Sequence, residues 1–379
     1  MSKKKETVIL TGAAGFVGIN MTKHLIDEGY HVIGLDINDE GLKIIEEIGA
    51  EALKCDMLKE DLVPIFKRGD YLIHIAGLFK FDAPANALFL INVKLSKVVM
   101  EAANKVGNFK HILYFSSVGT YGTPAKNRKS RKPHLDVKPY KESDPLIPDN
   151  TYGLSKYLGE KFAWRYHKKG LPISIIRPSL IYGPYNRYGM ALFHQLGSYC
   201  KNLMTGPTKY VLLFPMALPC RGGTYAHFVH VEDLCRACSL IMTREDTIGE
   251  AYTIGDMQPA DTITFFNLML SPFRVKINWK LIPLSRFVIK NFNKFFNKYI
   301  TKLLERVLSF CFKIYGWRMN YNPDEIPLEI SSDWLGYFSS NFLWDISKLL
   351  ALGFKHKYPT LKRGVLEACI WYKKHKWLP

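Results

Sequence analysis

The sequence predicts an α/β protein with a doubly wound parallel sheet of the Rossmann type and a smaller C-terminal region. Three features of its first half lead there. Apolar runs of strand length alternate with helix-period patterns, a glycine-rich turn directly follows the first run, and an acidic residue closes the second. Strands are expected at 7–11 (TVILT), 31–35 (HVIGL), 71–76 (YLIHIA), 111–116 (HILYFS) and 172–177 (PISIIR). Helical patterns fall between them at about 16–28, 39–48, 84–105 and 152–169. Continuous Val/Ile/Leu-rich strands separated by helices mark a parallel sheet covered on both faces.

Each motif then has a place on that framework. Thr11-Gly12-Ala13-Ala14-Gly15-Phe16-Val17-Gly18 sits at the strand-to-helix turn. Gly12 permits the tight turn, Gly15 lets the backbone approach a pyrophosphate, and Gly18 lets the helix pack closely on the sheet. The helix beginning near Phe16 and Val17 offers free N–H groups and a positive dipole end to phosphates. Asp36 lies 18 residues after Gly18, at the end of the second strand, where a carboxylate accepts hydrogen bonds from both adenosine ribose hydroxyls and repels a 2′-phosphate. Ile37 and Asn38 supply no arginine to hold such a phosphate. The cofactor expected is NAD rather than NADP.

Tyr152-Gly153-Leu154-Ser155-Lys156 places a phenol and an amine four residues apart on one helix face. In isolation that pair reads as an exposed Tyr and Lys. Phe115-Ser116-Ser117 changes the reading, because it ends a parallel strand and ligands bind beyond the carboxyl ends of such strands. A serine there can hold a substrate oxygen while Tyr152 moves its proton, with the ammonium of Lys156 expected to lower the phenol pKa.

The ordered set TGAAGFVG, DIND, CDM, HIAG, FSSVGTYG, YGLSK, RPSLIYGP and FVHVEDL resembles the extended short-chain dehydrogenase/reductases, the NAD-dependent epimerase/dehydratase superfamily. The resemblance runs from residue 6 to about 255 and resumes at Asp345-Ile346-Ser347-Lys348, Leu352-Gly353-Phe354 and Trp371-Tyr372. It implies a catalytic triad of Ser117, Tyr152 and Lys156, with Lys156 also on the nicotinamide ribose and Ser116 as the alternative hydroxyl. It places Asp56 and Met57 by the adenine, has Ala76 and Gly77 lining the cofactor channel, and adds Pro178 to the cofactor residues. It also implies a homodimer through helices such as 84–105 and 152–169.

Within that superfamily, nucleotide-sugar enzymes usually carry Asn two residues after the Arg of R-x-x-x-x-Y-G-P, and Arg-Asp before F-V-H-V-x-D. This chain has Ser179 and Ala226-His227 at those places. Loss of a charge-assisted clamp on a diphosphate points toward the 3β-hydroxysteroid dehydrogenase-like branch and a lipophilic, sterol-like or polycyclic alcohol or ketone. A nucleotide-sugar epimerase or dehydratase is the alternative, with Arg187 or Arg221 reaching in from elsewhere. A non-catalytic NAD-binding scaffold docked on a membrane is the third reading.

The chain has 379 residues and a net charge of +18. Residues 126–141 carry seven Lys/Arg against Asp136, and residues 273–318 carry eleven against Glu305, so most of the excess lies in two insertions. No nucleic-acid reader motif accompanies that charge. Between Arg286 and Tyr315, Val288, Phe292, Phe295, Phe296, Tyr299, Leu303, Val307 and Phe310 recur at helical spacing, with Lys290, Lys294, Lys298 and Lys302 on the other side. That pattern suits an in-plane helix at an anionic membrane, or a helix packed over the substrate pocket.

The organisation expected is an NAD-binding core over 1–180 and a mainly substrate-binding region over 181–379. Segment 226–255 returns to the core, and 273–318 forms the basic amphipathic insertion. Seven irregularly spaced cysteines and a start without a signal-peptide core lead to an expectation of reduced thiols and a cytoplasmic protein, peripheral at the membrane face if the basic helix docks there. Cys235-x-x-Cys238 lacks a second pair and reads as helix packing, so no metal is expected. His74, in an apolar strand, reads as a hydrogen-bonded core histidine.

Overall fold

A computed structural model describes residues 5–79, 83–123, 138–203, 216–218, 224–275, 279–281, 306–327 and 341–379. The first 54 residues build β1 (Thr7–Thr11), α1 (Phe16–Asp27), β2 (His31–Asp36), α2 (Asp39–Ile48) and β3 (Glu51–Lys54). The short α3 (Val63–Phe66) leads to β4 (Tyr71–His74). The helical segment that follows comprises α4 (Ala85–Phe89), a π-turn over Leu90–Lys94, and α5 (Leu95–Val106). After β5 (His111–Phe115) come α6 (Thr151–His167) and β6 (Ile173–Pro178).

β7 (Leu180–Tyr182) and α7 (Met190–Leu203) open the second half. There β8 (Met216–Leu218) pairs with the distant β13 (Trp279–Leu281), and β9 (Tyr225–Ala226) with β12 (Ala260–Asp261). β10 (Phe228–His230) runs into α8 (Val231–Met242), followed by β11 (Ala251–Ile254) and α9 (Thr262–Leu270).

Seven of the described strands form one parallel sheet in the order β11-β6-β5-β4-β1-β2-β3. The order in which strands are added reverses between β1 and β4, which opens a crevice at their carboxyl ends. Successive side chains alternate between the two faces. Val8 and Leu10 pack under α1, α2 and α8 with Ile73, Leu113 and Ile176, whereas Ile9 packs under α3, α5 and α6 with Leu72, Ile112 and Ile175. Both faces are covered, which is why these strands read as unbroken apolar runs.

The sheet differs from expectation at its rims. β3, Glu51-Ala52-Leu53-Lys54, is a half-exposed edge strand with no apolar run to betray it. Within 226–255, α8 packs on α1 and β11 extends the sheet beside β6, but β10 stays outside it and pairs with β7. Cys235 and Cys238 are buried in the core beneath α8. Among the described residues, no helix is long and apolar enough to cross a membrane, and no group of three His, Cys, Asp or Glu is placed to hold a metal. Residues 126–137 of the first basic stretch, Arg221, and 276–278 and 282–305 of the second stretch lie outside the described residues.

Candidate active site

A cleft of about 1470 Å3 runs along the carboxyl edge of the sheet. Gly12, Gly15, Phe16, Val17, Gly18, Asp36, Asp56, Met57, Ala76, Gly77, Ser116, Ser117, Tyr152, Lys156 and Pro178 all line it. Residues separated by up to 166 positions in sequence thus share one wall, because every one of them lies at or just beyond a strand end or at the start of a helix.

The glycine turn is shaped for close approach. Gly12 has φ +73°, and a Cβ there would sit 2.6 Å from the Ala76 backbone nitrogen. A Cβ on Gly18 would sit 2.1 Å from the Gly12 carbonyl oxygen. Gly15 is different: its nearest clash would be 3.4 Å away, and it faces the cleft at the N-cap of α1. The first N–H groups of α1 have no acceptor within the helix and open onto the same space. The Asp36 carboxylate is held by the N–H groups of Ala14 at 3.1 Å, Ile37 at 2.7 Å and Asn38 at 3.1 Å. Asp56 pairs with Lys59 at 2.7 Å, which lowers its pKa. These residues fit a dinucleotide: a cradle that side chains would fill, a helix N-terminus for phosphate, and an oriented carboxylate for ribose hydroxyls.

At the other end of the cleft, the loop after β5 and the first turns of α6 converge. Asn150 caps α6 by accepting the Gly153 N–H at 2.8 Å, which sets Tyr152 and Lys156 one turn apart. The Ser117 hydroxyl stands beside the Tyr152 phenol, and its oxygen accepts the Gly119 N–H at 3.0 Å. The Phe79 ring meets the Tyr152 ring edge-on at 5.2 Å. The Ser116 hydroxyl points elsewhere and donates to Glu160 at 2.5 Å. Ser117 is therefore the hydroxyl placed with Tyr152.

The electrostatics depart from expectation. Burial pushes the Tyr152 phenol up to about 12, and the neighbouring Ser117 hydroxyl opposes that rise. The Lys156 amine donates to the Phe115 carbonyl at 2.6 Å and lies 5.9 Å from the centre of the Tyr114 ring. Burial lowers Lys156 to about 8, with Glu160 acting in the opposite direction. The ammonium is thus not what lowers the phenol here; a low-dielectric site penalises both ionised forms.

Sequence reasoning missed the groups that hold this arrangement. Glu160, one turn beyond Lys156, forms a buried ion pair with Arg177 at 2.5 Å and accepts the Trp164 indole N–H at 3.0 Å. Arg177 also donates to the Tyr121 hydroxyl at 2.8 Å and to the Glu142 carbonyl at 3.2 Å. The i, i+4 spacing from Lys156 was the available signal for Glu160. Asn92, buried in the π-turn, accepts the Leu78 N–H at 2.8 Å and donates to the Leu78 carbonyl at 3.0 Å and to Ser155 at 2.9 Å. That turn lies inside the segment expected to be one helix, 84–105, and no sequence signal marks it. His74 bonds Thr11 at 2.7 Å, and burial lowers it to about 3, so it is a neutral core residue.

Beyond Tyr152 the cleft is walled by Ser179, Leu180, Ile181, Arg187, Tyr188, Met190, Glu325 and Phe342. The Arg187 guanidinium pairs with Glu325 at 2.8 Å and lies over Trp377. His227 is buried, accepts the Trp344 N–H at 3.1 Å and is lowered to about 4, so it supplies no charge.

Similarity to known proteins decides the family. The model of the NAD dependent epimerase/dehydratase family matches residues 8–255. The chain belongs to that family. Its members are enzymes, and this chain is one of them. UDP-glucuronate 4-epimerase 5 of Arabidopsis thaliana is 26% identical over 310 residues, covering 74% of this chain and 66% of that protein. Dihydroflavonol 4-reductase of the same plant is 27% identical over 255 residues, 62% of each chain. The fold is similar to that of UDP-glucuronic acid 4-epimerase from Bacillus cereus in complex with NAD, with a TM-score of 0.68, 19% identity and 98% and 99% coverage of the two chains.

Proposed function

We propose that this enzyme is an NAD-dependent epimerase or dehydratase of nucleotide sugars, with Ser117, Tyr152 and Lys156 as its catalytic residues. The observation that carries the catalytic part is that Ser117, Tyr152 and Lys156 line one cleft continuous with the glycine turn. The substrate class rests on the UDP-sugar relatives, and it replaces the sterol-like substrate expected from Ser179 and Ala226-His227. Arg187, half-exposed in the cleft wall and paired with Glu325, is a cation that a diphosphate would meet despite those two departures.

In this reading the turn Gly12–Gly18 and the start of α1 would hold the pyrophosphate, Asp36 the adenosine ribose, and Asp56 and Met57 the adenine. Ala76, Gly77, Ser116 and Pro178 would line the channel, and Lys156 would anchor the nicotinamide ribose. Bound NAD supplies reversible hydride transfer. Ser117 holds the substrate hydroxyl oxygen, and Tyr152 exchanges a proton with it. At neutral pH a phenol held near 12 is protonated. It therefore suits proton donation directly, and proton removal requires that substrate and cofactor binding stabilise the phenolate. Residues 1–180 form the cofactor part of this scheme and 181–379 mainly the substrate part.

The test is incubation of the NAD-loaded protein with a panel of UDP- and dTDP-sugars, followed by NMR of the products and absorbance of NADH. Sugar conversion without net NADH release is expected, and Tyr152→Phe should slow it roughly 10²–10⁴-fold while NAD stays bound. Failure on every nucleotide sugar, with stoichiometric NADH oxidation on a lipophilic ketone, would overturn the substrate assignment. That second reading is favoured by one observation: Ala226 stands where the sugar enzymes have their arginine, and the neighbouring His227 is uncharged.

A further inference from the structure

The end of the second basic stretch, from 306 to 318, lies in a helix that runs to 319 and is apolar on two faces. One face is occupied. Phe312 and Tyr315 are buried, and their rings meet Tyr199 of α7 at 5.3 and 5.5 Å. The other face is bare: Val307, Phe310, Ile314 and Trp317 are 51%, 66%, 52% and 87% exposed. Their spacing of three, four and three residues puts them in one stripe along the helix. At 100° per residue, Arg306 and Lys313 border that stripe on one side and Arg318 on the other. Lys313 has a loose partner in Asp324 at 3.6 Å. A contiguous exposed apolar stripe marks an interaction surface.

We propose that this stripe docks the enzyme on an anionic lipid bilayer. Charge complementarity selects that occupant. The stripe is edged by cations on both sides, and residues 273–318 hold eleven Lys/Arg against one acidic residue, a net +10. Apolar side chains entering the acyl boundary, with long cationic side chains reaching back to headgroup phosphates, is the arrangement of an in-plane membrane helix. The anchor is also linked to the cleft. A short turn, Pro323–Glu325, follows the helix, and Glu325 is the cleft residue that pairs with Arg187. Docking would thus hold the substrate end of the cleft close to the bilayer. This surface contains no catalytic residue, so its test is independent of the catalytic reading.

The experiment is co-sedimentation of the full chain with vesicles of phosphatidylcholine alone or of phosphatidylcholine mixed equally with phosphatidylglycerol. Binding to the anionic vesicles is expected at low salt and should weaken as salt rises. Arg306→Gln with Arg318→Gln should reduce it about fivefold per charge. Phe310→Ser with Trp317→Ser should reduce it more than about tenfold, leaving the melting temperature unchanged because these side chains are exposed. Absence of wild-type binding, or binding indifferent to the Phe310/Trp317 pair, would overturn the proposal. So would a solution mass above the monomer that falls on Trp317→Ser, which would make a second copy the occupant.

Discussion

Tyr152 and Lys156 show how burial sets the ionisation of side chains that share one cleft with Ser117. The phenol rises because its ionised form loses water, and a single hydroxyl opposes that rise. The amine falls for the same reason, with its sign reversed. A consequence for stability follows from Lys156, whose value of about 8 in the folded chain compares with an ordinary 10.5. Between those values the unfolded chain binds a proton that the folded chain does not. Stability therefore rises with pH across that window, and the contribution is lost as pH falls through about 8. Lys156→Met should remove this part of the pH dependence, leaving the mutant curve flatter than wild type between pH 8 and 10.5. Urea unfolding across that range measures it, and parallel curves would contradict the buried-amine account.

At the scale of elements, the glycines of the turn before α1 have separable duties. Gly18 is a packing residue, since an added Cβ would strike the backbone of Gly12 and Ala13. Gly15 is open to the cleft, and an added Cβ would meet only ordinary contact. Gly18→Ala should lower stability by about 1–3 kcal/mol. Gly15→Ala should leave the urea midpoint in place and weaken NAD binding by calorimetry. Equal loss of stability in both variants would mean the turn is purely structural. The π-turn at Leu90–Lys94 works at the same scale. It breaks a helix that periodicity reads as continuous and brings the Asn92 carboxamide onto both Leu78 and Ser155, so that the 78–79 segment is tied to the helix bearing Tyr152.

Across the whole molecule, the site depends on distant segments meeting at one sheet edge. Arg177 ends β6, Glu160 lies on α6, Tyr121 follows β5, and Glu142 enters from the connection to α6. This buried cluster joins the two elements that carry Ser117 and Tyr152. Arg177→Met would strand the Glu160 carboxylate in the core and should cost about 3–5 kcal/mol, read from chemical denaturation. A cost below about 1 kcal/mol would show that the pair does not clamp the site. The +16 carried by the two basic stretches stands apart from this core, because the remaining chain is almost neutral.

Much of the fold was legible because its signals are local. Strand runs, helical periods, the glycine turn and Asp36 depend on neighbouring residues and on backbone sterics, and the structure places them within two residues of expectation at most ends. Edge strand β3 escaped because half its surface faces water, so nothing apolar repeats there. That Ser117, Tyr152 and Lys156 share one cleft with the glycine turn was also readable, since each occupies a strand end or a helix start whose position the parallel sheet dictates. The choice between the hydroxyls of Ser116 and Ser117, the acceptor taken by the Lys156 amine, and the neutral state of His227 required the tertiary structure. Each depends on where a partner far away in sequence delivers one atom, and on how thoroughly packing has removed water around it.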